Sequence, residues 1–179
     1  MKKVIIIRYG HRPQRDIRLS THVALVSRAL GADGIIFTDI TDEKIKKSIE
    51  KVNSIWGGNF FIKMGINWKK LIKKIKSENN LLVHLTMYGI KLDDLIIKKI
   101  NKFENDVYVF VGGKKVPYDI YKLADYNIAI THQPHSECGA IAIFLDRIFL
   151  GKTLYKEFPN AKLKIIPMER GKKVEIINK

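Results

Sequence analysis

Residues 106–147 read DVYVFVGGKKVPYDIYKLADYNIAITHQPHSECGAIAIFLDR, and the fold is decided there. Two strand-like apolar runs, 107–111 and 127–130, each end abruptly in residues that cannot continue a strand. The first is followed by Gly112, Gly113, Lys114, Lys115, Val116 and Pro117, the second by Thr131, His132, Gln133 and Pro134. Read as neighbours in an open parallel sheet, two such strands place their outgoing loops side by side, and ligands bind in that crevice. Residues 137–150 then form an apolar helix with Cys138, Gly139 and Ala140 on its first turn, small enough to let another backbone or subunit come close.

From the N-terminus, residues 4–8 form an apolar run ending in RYGHRPQRDIR, a strand followed by a loop. Ser20 or Thr21 caps a helix that runs through Ala29 and Leu30 to a stop at Gly31. Residues 34–37 read as a second strand. Thr41, Asp42 and Glu43 open another helix, because acids in a first turn suit the helix dipole. Its Ile45, Ile49 and Val52 recur at helical spacing until Gly57 and Gly58. A brief strand at 60–62 precedes a basic amphipathic helix over 68–76 with Leu71, Ile72 and Ile75 facing inward. Residues 81–86 make a strand leading into Met87, Tyr88 and Gly89, and 92–103 make a helix. Strands and helices alternate about every 20–25 residues, the pattern of a parallel α/β sheet flanked by helices. No linker or repeat divides the chain. Residues 1–179 read as one domain, with 152–179 a small C-terminal extension carrying apolar runs at 163–166 and 174–177.

Charge narrows the partners. Lys and Arg total 33 against 18 Asp and Glu, a formal net charge of +15. An excess of that size points to a polyanion, nucleic acid before membrane, since no long basic amphipathic tail is evident. The competing explanation is a compositional bias toward Ile, Lys and Asn. No apolar run approaches the roughly 20 residues of a membrane span, and the N-terminal run is too short for an export signal. The single cysteine, Cys138, excludes a disulfide framework. The chain reads as cytoplasmic.

Arg8, His11, Arg12, Arg15 and Arg18 put five potential cations on one early loop, and guanidinium forks grip phosphate in bidentate fashion. Arg28, in HVALVSRALG, reads by itself as a helix-edge residue with a snorkelling head. The run from Gly112 to Lys115 lacks the spacing and hydroxyl of a Walker loop, so its use is backbone approach to an adenosine. His11, His22, His84, His132 and His135 show no metal-ligand pattern with Cys138, and no metal is expected. Ser136 reads as a helix cap and Cys138 as an inert thiol.

HLTMYG (84–89), VGGKKVP (111–117), ADYNIAITHQPHSE (124–137) and RYGHRPQRD (8–16) together resemble the archaeal tRNA cytidine-56 2′-O-methyltransferase family of the SPOUT superfamily. The resemblance implies a C-terminal deep trefoil knot, a homodimer, and S-adenosylmethionine bound in the knot. A threaded chain is not something pattern reasoning supplies. The donor would be held by Leu85, by Gly112, Gly113, Lys114, Lys115 and Val116, and by Ile130, Thr131, His132, Gln133, Pro134, His135 and Ser136. The wider ribose-methylating branch has an Asn, an Arg six residues later and a Gly six after that, which fall here on His22, Arg28 and Gly34. Its second motif falls on Gly112 and Lys114, with lysine in place of an acid. The third falls on Pro134 and Ser136, keeping only the serine. The resemblance thus makes Arg28 the catalytic arginine, fixing the target's phosphate and stabilising alkoxide charge, with His22 or water taking the proton. It places tRNA on Arg8, His11, Arg12, Arg15 and Arg18. The alternative is a non-catalytic basic RNA-binding α/β protein, in which the glycine loops are only turns.

Overall fold

The apolar runs become strands buried on both faces. A computed structural model describes residues 2–177; the first and the last two positions of the extents given above, Met1, Asn178 and Lys179, lie outside the described residues. Six strands, β1 (Val4–Tyr9), β2 (Gly34–Thr38), β3 (Phe61–Ile66), β4 (Leu81–Lys91), β5 (Val107–Gly112) and β6 (Tyr126–Ala129), form one sheet in the order β3-β2-β1-β5-β4-β6. Every pairing is parallel. Helices α1 (Ile17–Ala29), α2 (Glu43–Trp56), α3 (Trp68–Ser77), α4 (Asp94–Lys102), α5 (Tyr118–Leu123) and α6 (Glu137–Ile148) make the connections.

Alternation along the strands sorts the core into two layers. Val4, Ile6, Ile35, Phe37, Val83 and Val109 face α1, α2, α4 and α6, where Val23, Ile49, Ile100 and Phe144 are buried. Ile5, Ile7, Ile36, Leu82 and Phe110 face α3 and α5 through Leu71, Ile72, Ile75 and Ile120. Helices on both sides are why the strands read as continuous apolar runs.

Three expectations change. The strands 107–111 and 127–130 are not neighbours, because β4 lies between β5 and β6. Helix α1 begins at Ile17 behind Asp16 rather than at Ser20 or Thr21. Ser20 Oγ is taken up by His11 at 2.8 Å, and Thr21 Oγ1 donates back to the Ile17 carbonyl. Helix α5 was not foreseen in YDIYKL, since its six residues bury only Ile120 and offer no helical period. The C-terminal tail carries a 3-10 turn (Lys152–Tyr155) and an antiparallel hairpin, β7 (Leu163–Ile166) with β8 (Lys173–Ile176). It is tied to the end of α2 by Gly58 N donating to Pro159 O and Lys162 N donating to Ile55 O.

Candidate active site

Parallel strands bring their carboxyl ends to one edge, and there β4, β5 and β6 surround a cavity of about 660 Å³. Its apolar wall is Leu85, Val111, Val116, Ile128, Ile130 and Ala140. Its polar groups come from Gly112, Lys114, Lys115 and residues 133–137. The β5–α5 loop packs so closely because its Gly112 and Gly113 lack side chains. A Cβ on Gly112 would strike Val116, and one on Gly113 would strike the Arg8 guanidinium. The third wall comes from β4. Pairing with β6 jumps from Leu85 to Ile90, so residues 86–89 bulge outward, and Gly89 lies against the Asn127 backbone where a Cβ would collide.

The expected donor-site residues are brought together with one qualification. Leu85, Gly112, Lys114, Lys115, Val116, Ile130, Gln133, Pro134, His135 and Ser136 line the cavity, while Gly113, Thr131 and His132 stand just behind it. His132 Nε2 bonds the Gly89 carbonyl at 3.0 Å, joining the last loop to the bulge. Ser136 caps α6, its Oγ accepting from Cys138 N at 3.2 Å. Lys114 folds back, its ammonium 5.3 Å over the Tyr9 ring. Burial pushes the Cys138 thiol up, consistent with an inert group.

His84 was not foreseen as a site residue, although it opens the HLTMYG motif. It lines the cavity, nearly inaccessible, with Tyr121 edge-on at 4.6 Å. Asn127 Nδ2 donates to Tyr121 O at 2.8 Å, which fixes the amide and leaves Oδ1 to accept from His84 Nδ1–H at 2.9 Å. Burial lowers the imidazole pKa despite that bond, so His84 is a neutral ring with its Nε2 lone pair unprotonated.

The arginine loop divides into buried and exposed parts. Arg8 is wholly buried at the end of β1, its Nη1 donating to Glu137 Oε1 at 3.1 Å. Among the described residues Arg8 Nε and Nη2 have no partner. His11 is buried too, between Ser20 and Asp42 Oδ2 at 3.1 Å. Neither can meet a polyanion from outside, which corrects the expectation that both dock RNA. Arg12 grips Asp16 with Nε at 2.8 Å and Nη2 at 3.1 Å, and Nη2 also donates to Gly113 O at 3.2 Å. That guanidinium holds the Asp16 carboxyl below the usual range. Arg15 and Arg18 remain exposed.

Arg28 and His22 are not at this site. The chain from Ile17 to Arg28 climbs about 17 Å along α1, away from the cavity edge. Arg28 Nε donates to Asn53 Oδ1 at 2.8 Å and Nη2 to Gly57 O at 2.5 Å, with Phe158 4.6 Å from the guanidinium carbon. It braces α1, α2 and the tail at the amino ends of the strands, and burial lowers its pKa. His22 is exposed on α1 and absent from the cavity wall. Motif spacing along the chain could not show which end of a helix faces the ligand. Among the described residues no group of His, Cys, Asp or Glu could hold a metal ion.

The arrangement is a nucleoside-sized cavity bordered by a cationic loop, and comparison with known proteins agrees. A family model described as tRNA ribose 2′-O-methyltransferase, aTrm56, matches residues 56–175. Curated proteins named tRNA (cytidine(56)-2′-O)-methyltransferase are similar over nearly the whole chain. That of Staphylothermus marinus is 51% identical, covering 98% of this chain and 94% of its own. That of Pyrococcus horikoshii is 52% identical, covering 96% and 84%, and that of Methanocaldococcus jannaschii 50%, covering 96% and 95%. Among solved structures, the SpoU methyltransferase AviRb from Streptomyces viridochromogenes, in complex with AdoMet, superposes with TM-score 0.58 at 13% identity, over 84% of this chain and 58% of that one. A putative RNA methyltransferase from Bacillus anthracis gives TM-score 0.58 at 18% identity, over 88% and 97%. These structures share the fold, and the sequence relatives decide the rest: the chain belongs to the family of tRNA ribose 2′-O-methyltransferases.

Proposed function

We propose that this protein methylates the ribose 2′-oxygen of cytidine 56 in tRNA, with S-adenosylmethionine as donor. The observation that carries the reading is the glycine-opened cavity at the ends of β4, β5 and β6. Its volume of about 660 Å³ lies within the roughly 300–1,000 Å³ of small-molecule sites. Leu85, Val116 and Ile130 suit the faces of an adenine, and the backbone of 112–116 and 130–136 suits its edges. A Cβ on Gly112 or Gly113 would displace Val116 or Arg8 from its place at the cavity. When bound, the donor supplies an electrophilic methyl on a sulfonium. The chain's own task is to hold that methyl and the ribose hydroxyl in line, which can account for much of the acceleration.

Arg12 and Arg15 on the loop after β1 and Arg18 in the first turn of α1 supply the phosphate contacts. Lys69, Lys70 and Lys73, exposed on α3, extend the cationic face, while Lys74 and Lys76 pair with Glu78 and Asp125. With tRNA as substrate the site of action is the cytoplasm, and among the described residues no helix is long and apolar enough to cross a membrane. Residues 1–179 act as one domain extended by 152–179. The C-terminal part forms a deep trefoil knot, in which 130–136 passes between the β4 bulge and the β5–α5 loop; the His132–Gly89 bond and the Gly89–Asn127 approach support this. A homodimer is supported by Ile143 and Leu150 of the α6 region, exposed at 48% and 66%.

Calorimetry with S-adenosylmethionine, followed by nucleoside mass spectrometry of a tRNA transcript treated with chain and donor, tests the proposal. Micromolar binding and 2′-O-methylcytidine at position 56 are expected. A wild-type chain that binds tRNA but no donor overturns it, leaving a basic RNA-binding protein.

A further inference from the structure

Arg8 is buried without the partners its charge needs among the described residues. Its guanidinium is fully buried, yet one partner, Glu137, serves it, and Nε and Nη2 are unmet. A buried charge so poorly satisfied is costly, and a native group of that kind calls for a reason. Its position supplies one. The guanidinium fills the space beneath Gly113, at the joint between the donor cavity and the arginine loop. Arg12, 41% exposed, reaches the same joint through the Gly113 carbonyl.

Glu137 is the single carboxylate in the cavity wall among the described residues, and its side chain keeps 22% of its surface open. Arg8 binds Oε1, and no protein group bonds Oε2 among the described residues. Two imidazoles also line the cavity, those of His84 and His135. His84 is nearly inaccessible, with Tyr121 edge-on at 4.6 Å, and His135 is exposed, its Nδ1 bonded to the Ser136 carbonyl at 3.0 Å; neither is braced by a buried cation as Glu137 is. His22 and Arg28 lie elsewhere.

We propose that Glu137 accepts the proton of the target ribose hydroxyl and that Arg8 is the positioning residue that fixes its carboxylate. This rests on the methyltransferase reading above. In the step, the 2′-oxygen bonds to the methyl carbon as the carbon–sulfur bond breaks with its electron pair left on sulfur. The hydroxyl proton passes to Glu137. One sulfonium and one carboxylate become a neutral thioether and a neutral acid, so charge and atoms balance. The phosphate beside the ribose lies toward Arg12, Arg15 and Arg18.

The test uses the full chain with tRNA transcript. Glu137→Gln is expected to leave the donor Kd by calorimetry and the tRNA Kd within about threefold, and to lower the single-turnover transfer rate by about 100-fold or more, the usual reach of a positioned base. Glu137→Asp, keeping the carboxylate but drawing it back, falls between. Arg8→Met should cost a similar factor, and adding it to Glu137→Gln should cost little more, because residues acting as a unit are non-additive. Since Arg8→Met can fail to fold, a melting curve and circular dichroism accompany it; should it not fold, Glu137→Gln and Glu137→Asp decide alone. A Glu137→Gln rate within threefold of wild type overturns the proposal, as does a Glu137→Gln chain that has lost donor binding. Absence of donor binding by the wild-type chain would instead overturn the function itself.

Discussion

Arg28, to which the resemblance gives a catalytic role, serves as a brace within its own chain. Its hydrogen bonds to Asn53 and Gly57 and its packing on Phe158 hold three segments together at the sheet edge away from the cavity. Arg28→Lys should therefore lower stability by about 1–3 kcal/mol, the cost of lost charged hydrogen bonds. The single-turnover methyl-transfer rate of the folded variant should stay within about threefold of wild type, and a collapse of that rate at unchanged melting temperature would contradict this. Asp16 behaves differently. Hydrogen bonding from Arg12 depresses its pKa, so its contribution to stability is complete above the ordinary carboxylate range, about 4, and is lost as pH falls through the depressed value. Asp16→Asn should melt about 2–8 °C below wild type at pH 7. Thermal melts across pH should show that gap closing below about pH 4; a gap that persists there would refute the assignment. The buried His11–Ser20–Asp42 set has the composition of a nucleophilic triad, but its serine is inaccessible, and it fastens the arginine loop to α1 and α2.

At the scale of elements, the proposed donor and tRNA contacts fall on separate parts, the β5–α5 loop and α3. Gly112→Val would push a branched side chain into Val116 and close the cavity. Donor affinity by calorimetry should fall at least about 100-fold with tRNA binding retained; intact donor affinity would show that the loop does not wall the site. Helix α3 buries Leu71, Ile72 and Ile75 and turns its lysines outward. Replacing Lys69, Lys70 and Lys73 with Glu should weaken tRNA binding without changing donor affinity. It should also flatten the slope of log K against log salt by roughly 0.7–0.9 for each phosphate contact removed. An unchanged slope would assign the lysines to solubility alone.

For the whole molecule, the proposed dimer is the measurable consequence. Sedimentation at micromolar concentration should give twice the chain mass, and Ile143→Asp should shift it toward monomer; a wild-type monomer would remove the dimer from the account. What the sequence determined by itself was everything local and periodic. Continuous apolar runs between helical segments specify strands covered on both faces, and abrupt Gly and Pro stops specify where those strands release their loops. Four motifs in order were enough for the resemblance, and most residues of the cavity wall were legible for that reason. Tertiary structure alone decided the rest. The pairing of β4 between β5 and β6 depends on long-range register, which no short segment encodes. Arg28 and His22 stand away from the cavity of their own chain because spacing along a helix does not say which end faces the ligand. Arg8 and His11 were read as surface cations because burial of a charge depends on partners 129 and 31 residues away, Glu137 and Asp42. Glu137 went unnoticed for the same reason: an acid in the first turn of a helix is drawn into a cavity wall only when the sheet brings Arg8 to it.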